Sequence, residues 1–348
     1  MSSQPIAATA AGSDAGSDAG ESAFTFLPQG ALIQEFKVAG VNIVQGFPDA
    51  KFYKTHNTPY FGETIGRTTN RIKDGKIENL NGKTYHLPLN NPPNSLHGGN
   101  EGWGKKDFEG PKPVNRHGRE GVEFRYLSKD GEEGYPGTVD CRVWYTAGME
   151  EGKTVLDAEW EVEFVGDECD ETVVGVTNHS YFNLNPPAPT IDGTIVTLGT
   201  TQYLPLSPTR IPLGTIAAHP SLPPANQPFT LSATAPALDD CFILNPDPAS
   251  VPLDTRRLPL QTLATLSHPA SKLHLRIEST EPAFQFYTGE GVDVPAVGGV
   301  AKRGMRAGVA VEPSRYVDAA GREEWRGMCL VRRGEVWGAR ARWVAWKG

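Results

Sequence analysis

Between Leu156 and Phe164 the apolar residues Leu156, Ala158, Trp160, Val162 and Phe164 alternate with Asp157, Glu159, Glu161 and Glu163. A period of two sends successive side chains to opposite faces, so this segment predicts a strand with one buried and one wetted face. Shorter runs repeat the pattern: Val122, Phe124, Tyr126; then Val139, Cys141, Val143, Tyr145; then Leu273, Leu275, Ile277. Turn dipeptides such as Asn81-Gly82 and Asp130-Gly131 punctuate them. No segment carries apolar residues at the i, i+3, i+4, i+7 spacing of an amphipathic helix, and strands and helices do not alternate. The pattern predicts an all-β chain folded as a large antiparallel β-sandwich. Residues 91–121 and 204–256, rich in Pro, Gly and Asn, lack periodicity and read as long loops, which in a compact domain usually serve a function. The run from Arg322 to Arg342, with arginines among Trp325, Trp337 and Trp343, reads as a terminal strand with a solvated face.

Composition adjusts this picture in a few places. The chain has 348 residues, enough to bury a large core without a disulfide or metal staple. Gly (38) and Pro (29) are well above average usage, as short connections between many strands require. The first 22 residues are rich in Ala, Ser and Gly, with a repeated Gly-Ser-Asp-Ala and no Lys or Arg. They read as a disordered tail (1–22) before a single sandwich domain (23–348), and fit neither a secretory signal nor a mitochondrial presequence. No run of apolar residues is long enough to span a membrane. Cys141, Cys169, Cys241 and Cys329 are widely spaced and suggest isolated thiols in a reducing compartment, hence a cytoplasmic protein. A net charge of −8 argues against nucleic acid as a partner.

Signatures for nucleotides, catalytic metals and serine nucleophiles are missing: no G-x-G-x-x-G, P-loop, H-E-x-x-H or G-x-S-x-G occurs. What remains is a set of polar residues in unusual surroundings. His97 precedes Gly98-Gly99, where a backbone and a ligand can approach closely. His179 lies between amide and hydroxyl groups in Asn178-His179-Ser180-Tyr181-Phe182-Asn183-Leu184. Glu312 ends the apolar run Ala307-Gly308-Val309-Ala310-Val311, where a buried carboxylate is costly without a partner or a task. Taken singly, each has an ordinary reading: a packed histidine, a tight turn, a solvent-facing glutamate.

Taken together, several segments in order resemble the aldose 1-epimerases, also called galactose mutarotases. The resemblance runs from about Phe61 to Glu335. Gly66-Arg67-Thr68-Thr69-Asn70-Arg71-Ile72 is similar to the family's G-R-x-x-N-R-I, and Asn90-Asn91-Pro92-Pro93-Asn94-Ser95-Leu96-His97-Gly98-Gly99 to N-N-x-P-N-S-L-H-G-G. Residues 130–137 match D-G-E-E-G-Y-P-G, and residues 178–184 match N-H-S-Y-F-N-L. Glu281-Pro282 with Gln285-Phe286-Tyr287-Thr288-Gly289 resembles E-P-x-x-Q-F-Y-T-G. Two segments depart from the pattern. D-H-N-F reads Asp239-Asp240-Cys241-Phe242, leaving Asp240 as a rival to Asp239. E-T-Q-x-x-P-D-A reads Glu312-Pro313-Ser314-Arg315-Tyr316-Val317-Asp318-Ala319, retaining Glu312, Asp318 and Ala319.

The resemblance implies the fold called the galactose mutarotase-like supersandwich and the interconversion of the α and β anomers of free hexoses such as galactose and glucose. It implies Glu312 as the base that takes the C1 hydroxyl proton and His179 as the acid at the ring oxygen. His97 and Arg71 would stabilise developing charge, and Asn70, Asp239 and Gln285 would hold the hydroxyls. Two titratable groups, one on each side of the reacting carbon, suffice, so no cofactor and no metal is expected. No ligand set at metal-site spacing is visible. The expected partner is a small aldose, with no nucleic acid and no membrane, and the chain is expected to be a monomer or else a dimer. Stacking aromatic residues are expected but not identified. Two alternatives stand beside this reading: a hexose 6-phosphate 1-epimerase, in which Lys105 or Lys106 would reach the phosphate, and a sugar-binding protein without activity. Glycoside hydrolysis by Glu312 and Asp239 is disfavoured by the motif set.

Overall fold

The computed structural model describes Ile6–Thr9, residues 23–186 and residues 188–348. Of the tail expected over residues 1–22, only Ile6–Thr9 falls within the described residues. It is the edge strand of a four-stranded sheet, paired with Ala23–Leu27.

Two larger antiparallel sheets dominate. The first has nine strands in the order Glu109–Arg116, Arg119–Ser128, Val139–Glu150, Lys153–Phe164, Val336–Lys347, Leu273–Ser279, Gln261–His268, Ile195–Leu198 and Pro228–Thr230. The second has six, in the order Tyr181–Phe182, Val309–Ser314, Ala283–Tyr287, Asp239–Ile243, Gln202–Tyr203 and Ala217–Ala218. One continuous apolar cluster joins the sheets: Val143, Leu156, Trp160 and Trp343 from the first, Phe242, Phe284, Phe286, Val309 and Val311 from the second, and Phe24, Phe26 and Phe36 from the four-stranded sheet. The alternation at 156–164 is realised as expected, since Leu156, Ala158, Trp160, Val162 and Phe164 are buried in that cluster. The architecture is a large antiparallel β-sandwich.

Three expectations need correction. The stretch 91–121 is not one loop. It holds Ser95–Leu96, the edge strand Glu109–Arg116 and the start of Arg119–Ser128. Gly110, Pro111 and Pro113 hide that edge strand from pattern reading, because proline is tolerated at a sheet edge and the register shifts between Glu109 and Lys112. The stretch 204–256 likewise contains Ala217–Ala218, Pro228–Thr230 and Asp239–Ile243. Helix is present too: Ala50–His56, whose N-terminus is capped by Asp49 accepting from the Lys51 amide at 3.0 Å, and the single turn Glu323–Arg326, which carries Trp325. Both are too short to show helical periodicity. The C-terminal strand forms as expected, at the centre of the nine-stranded sheet. Trp337, Ala339, Ala341 and Trp343 face the core, while Arg340 and Arg342 alternate to the other face.

Candidate active site

The pocket follows from strand alternation in the six-stranded sheet. In Val309–Ser314, Val309 and Val311 enter the main core, so Glu312 faces the opposite side. In Ala283–Tyr287, Phe284 and Phe286 are in the core while Gln285 and Tyr287 face that same opposite side. Register then sets neighbours: Gln285 pairs with Glu312, and Asp239 pairs with Tyr287. The Gln285 amide donates to Asp239 Oδ1 at 2.6 Å. Asp239 and Asp240, adjacent in sequence, necessarily point apart. Asp239 lines the pocket, whereas Asp240 faces His219 at 3.6 Å. The ambiguity between them is thereby removed.

Loops supply the facing wall. The amide of His97 donates to the Asn70 carbonyl at 3.0 Å, and the amide of Asn70 donates to His97 Nδ1 at 3.2 Å. Asn70 Oδ1 accepts from the Arg71 amide and from Arg71 Nη1, while Arg71 Nε donates to Asn91 Oδ1 at 2.9 Å. Asn90 staples the His97 loop. Its side chain donates to the carbonyls of Leu96 and Gly99 and accepts from the Leu96 amide. Gly98 is required here: at φ 82° a Cβ would lie 1.9 Å from the Gly66 carbonyl oxygen. On the other side, the His179 amide donates to the Glu63 carbonyl at 2.8 Å. Its ring is sandwiched between Tyr60, at 5.7 Å and 29°, and Tyr181, at 5.0 Å and 23°.

These elements enclose a cavity of about 650 Å³, a size suited to a small ligand. All seven residues singled out from the sequence (Asn70, Arg71, His97, His179, Asp239, Gln285 and Glu312) line it. His179 Nε2 lies 3.4 Å from Glu312 Oε1, and both residues are buried. The two groups assigned to the acid and base roles are thus in direct contact with each other. Burial, reinforced by Asp239 and opposed by Arg71, pushes the Glu312 carboxyl up to about 8. Burial pushes His179 down to about 3. Burial and the neighbouring His179 and Arg71 also hold His97 well below the ordinary imidazole value. His97 therefore stays neutral, and because Nδ1 accepts from Asn70 its proton sits on Nε2 as a hydrogen-bond donor.

His97, His179 and Glu312 bring three ligand-type atoms within 4.8 Å of one another, a grouping that chain spacing did not reveal. The His97 tautomer opposes metal binding. A neutral imidazole that accepts at Nδ1 keeps its proton on Nε2, and Nδ1 is occupied by a backbone amide.

Other pocket residues escaped sequence reasoning. Tyr60, Tyr181 and Tyr287 are the aromatic lining, and Arg210 and Glu290 join the rim. Tyr181 stood inside a recognised motif, so its position after His179 was a usable signal. Arg210 lies in the Pro-rich stretch and had none. It makes an ion pair with Asp239 Oδ2. Conversely, the matched segment 130–137 does not reach the pocket. It buttresses Arg67, whose Nη1 donates to the carbonyls of Pro136 and Gly137 at 2.7 Å each. Lys105 and Lys106 also lie outside the lining, paired with Glu63 and Glu132.

The family model described as Aldose 1-epimerase matches residues 17–343. The bifunctional protein gal10 of Schizosaccharomyces pombe is 36% identical over 320 residues, covering 90% of this chain and 42% of that protein. The chain thus spans less than half the length of this relative. The galactose mutarotase of Homo sapiens is 34% identical over 300 residues, covering 84% of this chain and 81% of its own. Among solved structures, the GalM/aldose epimerase homologue from C. elegans superposes with a TM-score of 0.81 at 21% identity, over 99% of each chain. Galactose 1-epimerase from Lactobacillus acidophilus NCFM gives 0.77 at 21%, over 100% of each chain. These two show a shared fold.

Proposed function

Because this chain belongs to the aldose 1-epimerase family, we propose that it interconverts the α and β anomers of free hexoses by opening and closing the sugar ring. The observation that carries the reading is the contact of 3.4 Å between His179 and Glu312 on the floor of a polar cavity. Ring opening moves a proton off the C1 hydroxyl and another onto the ring oxygen. Both oxygens are bonded to C1, so the groups that serve them must be near neighbours.

The proton count balances within the pair. Starting from ionised Glu312 and protonated His179, Glu312 takes the hydroxyl proton as the C1=O bond forms. His179 gives its proton to the ring oxygen as the C1–O5 bond breaks. The pair ends as neutral acid and neutral imidazole, the state that burial favours at both residues. Rotation about C1–C2 presents the other carbonyl face. Closure then returns the ring hydroxyl proton to His179 and the Glu312 proton to the carbonyl oxygen. His97 Nε2–H and the Arg71 guanidinium supply donors where charge develops. Asn70, Asp239 and Gln285 hold hydroxyls, and Tyr60, Tyr181 and Tyr287 offer faces for the apolar side of the ring.

The same reading assigns no cofactor, a monomer or dimer, and a cytoplasmic site of action. The four free cysteines favour that compartment, and no helix among the described residues is long and apolar enough to cross a membrane. The test is polarimetry of freshly dissolved α-D-galactose and α-D-glucose with purified protein. We expect rapid approach to the equilibrium rotation, with Glu312→Gln and His179→Asn each about 10²–10⁴-fold slower. An inactive wild type, or a fully active Glu312→Gln, overturns the reading.

A further inference from the structure

Lys105 lies outside the pocket, yet every group it touches leads back to His179. Its ammonium donates to both carboxylate oxygens of Glu63, at 2.8 and 3.0 Å, and to the Asn57 carbonyl at 2.8 Å. Glu63 is fully buried and receives a further bond from Asn57 Nδ2 at 2.7 Å. Room for that carboxylate exists only because residue 104 is glycine, where a Cβ would meet Glu63 Oε2 at 2.2 Å. The ammonium also sits 4.7 Å above the Tyr60 ring, a cation–π distance. Tyr60 adopts φ 66°, a left-handed conformation that an aromatic residue holds only when its surroundings enforce it. Its ring stacks on His179 and meets His97 edge-on at 5.0 Å. The backbone of the same turn grips His179 from both sides: the Glu63 carbonyl accepts from the His179 amide, and the Gly62 amide donates to the His179 carbonyl.

We propose that Lys105 and Glu63 are a positioning pair for ring opening, fixing the turn 57–63 so that Tyr60 holds the His179 imidazole at Glu312. This rests on the mutarotase reading and adds two residues that never touch the sugar. A buried ion pair is a weak source of stability, and replacing both partners by neutral groups of similar volume is often neutral for folding. Its effect is therefore expected in turnover. The backbone of His179 is held by the two hydrogen bonds to Glu63 and Gly62, but its ring Nδ1 has no partner among the described residues, so ring packing is what orients the imidazole.

The experiment compares Lys105→Met/Glu63→Gln with wild type by polarimetry on α-D-galactose, alongside thermal unfolding. We expect kcat about tenfold lower, KM within about twofold and Tm nearly unchanged. Lys105→Arg, which keeps both the charge and a fork for Glu63, is expected to restore most of kcat. Action through Tyr60 is read from a cycle: in a Tyr60→Leu background, Lys105→Met/Glu63→Gln should cost little more than Tyr60→Leu alone. An unchanged kcat in the paired variant overturns the proposal, as does a loss that multiplies independently with Tyr60→Leu. Should the paired variant fail to fold, the single variants Lys105→Arg and Lys105→Gln decide the matter: the first is expected to keep most of kcat and the second to lose about tenfold, and an equal kcat in the two overturns the proposal. An inactive wild type would instead remove the underlying function and is distinguished in the first measurement.

Discussion

A carboxyl pushed up to about 8 beside an imidazole pushed down to about 3 share one proton over the whole neutral range. In the proposed reaction, ring opening uses that proton in one tautomer and closure uses it in the other, so the competent species is the pair with one proton. The sign follows. Below about 8 the shared proton is present, and above it the pair empties and His179 has nothing to donate. We therefore predict that kcat/KM, corrected for spontaneous mutarotation, is flat between pH 5 and 7 and falls as pH rises through about 8. A Glu312 acting alone as base, with water as the acid, would give the opposite slope, rising through the same value. Polarimetry across a constant-ionic-strength pH series separates the two.

At the scale of elements, the pocket is an intersection of one sheet face with several loops, and the sheet contributes the more rigid half. Glu312, Gln285 and Asp239 are fixed by register on three adjacent strands. His97 instead depends on a loop held by the Asn90 side chain through three hydrogen bonds of 2.7–2.9 Å. Removing them costs about 1 kcal/mol each at most sites. Asn90→Ala is therefore expected to lower Tm by a few degrees and kcat/KM by about tenfold, mainly through KM, because His97 and Arg71 share that wall. Steady-state kinetics with a parallel melting curve check this, and an unaltered KM would count against it. What the sequence made legible divides along the same line. Strands with one apolar face, such as 156–164, showed their period because the alternate residues are charged, whether they meet water or, like Glu159, are paired with arginines. Glu109–Arg116 and Asp239–Ile243 did not, because proline, a bulge and mixed partners erase a period of two. The seven site residues were found through motifs whose loops are constrained by sterics, as at Gly98. Tyr60, Arg210 and Glu290 sit where only the folded chain brings them to the cavity.

Over the whole molecule, the net charge of −8 and the composition of the pocket bear on which sugar enters. Only Arg71 and Arg210 among the cavity's lining residues carry a fixed positive charge, against the carboxylates of Asp239 and Glu290. Both arginines already have partners: Arg71 donates through Nε and Nη1 to Asn91 and Asn70, and Arg210 is paired with Asp239. The lysines that might have read a phosphate are committed to Glu63 and Glu132 and line no part of the cavity. Recognition of a phosphate dianion calls for charge-assisted, often bidentate bonds from cations available to it. A 6-phosphate would have to break the Arg210–Asp239 pair and leave Asp239 exposed to a like charge. It would also approach through a negative field that is screened only beyond about 8–10 Å at physiological salt. A neutral hexose meets none of these costs, since its hydroxyls can bond to Asp239, Gln285 and Asn70 as they stand. We expect kcat/KM for galactose and glucose to exceed that for glucose 6-phosphate by at least about tenfold at low salt, the gap narrowing as salt screens the repulsion. A preference for the phosphate that fades with rising salt and disappears in Arg210→Ala would reverse the assignment, because it would show that Arg210 leaves Asp239 to bind the dianion.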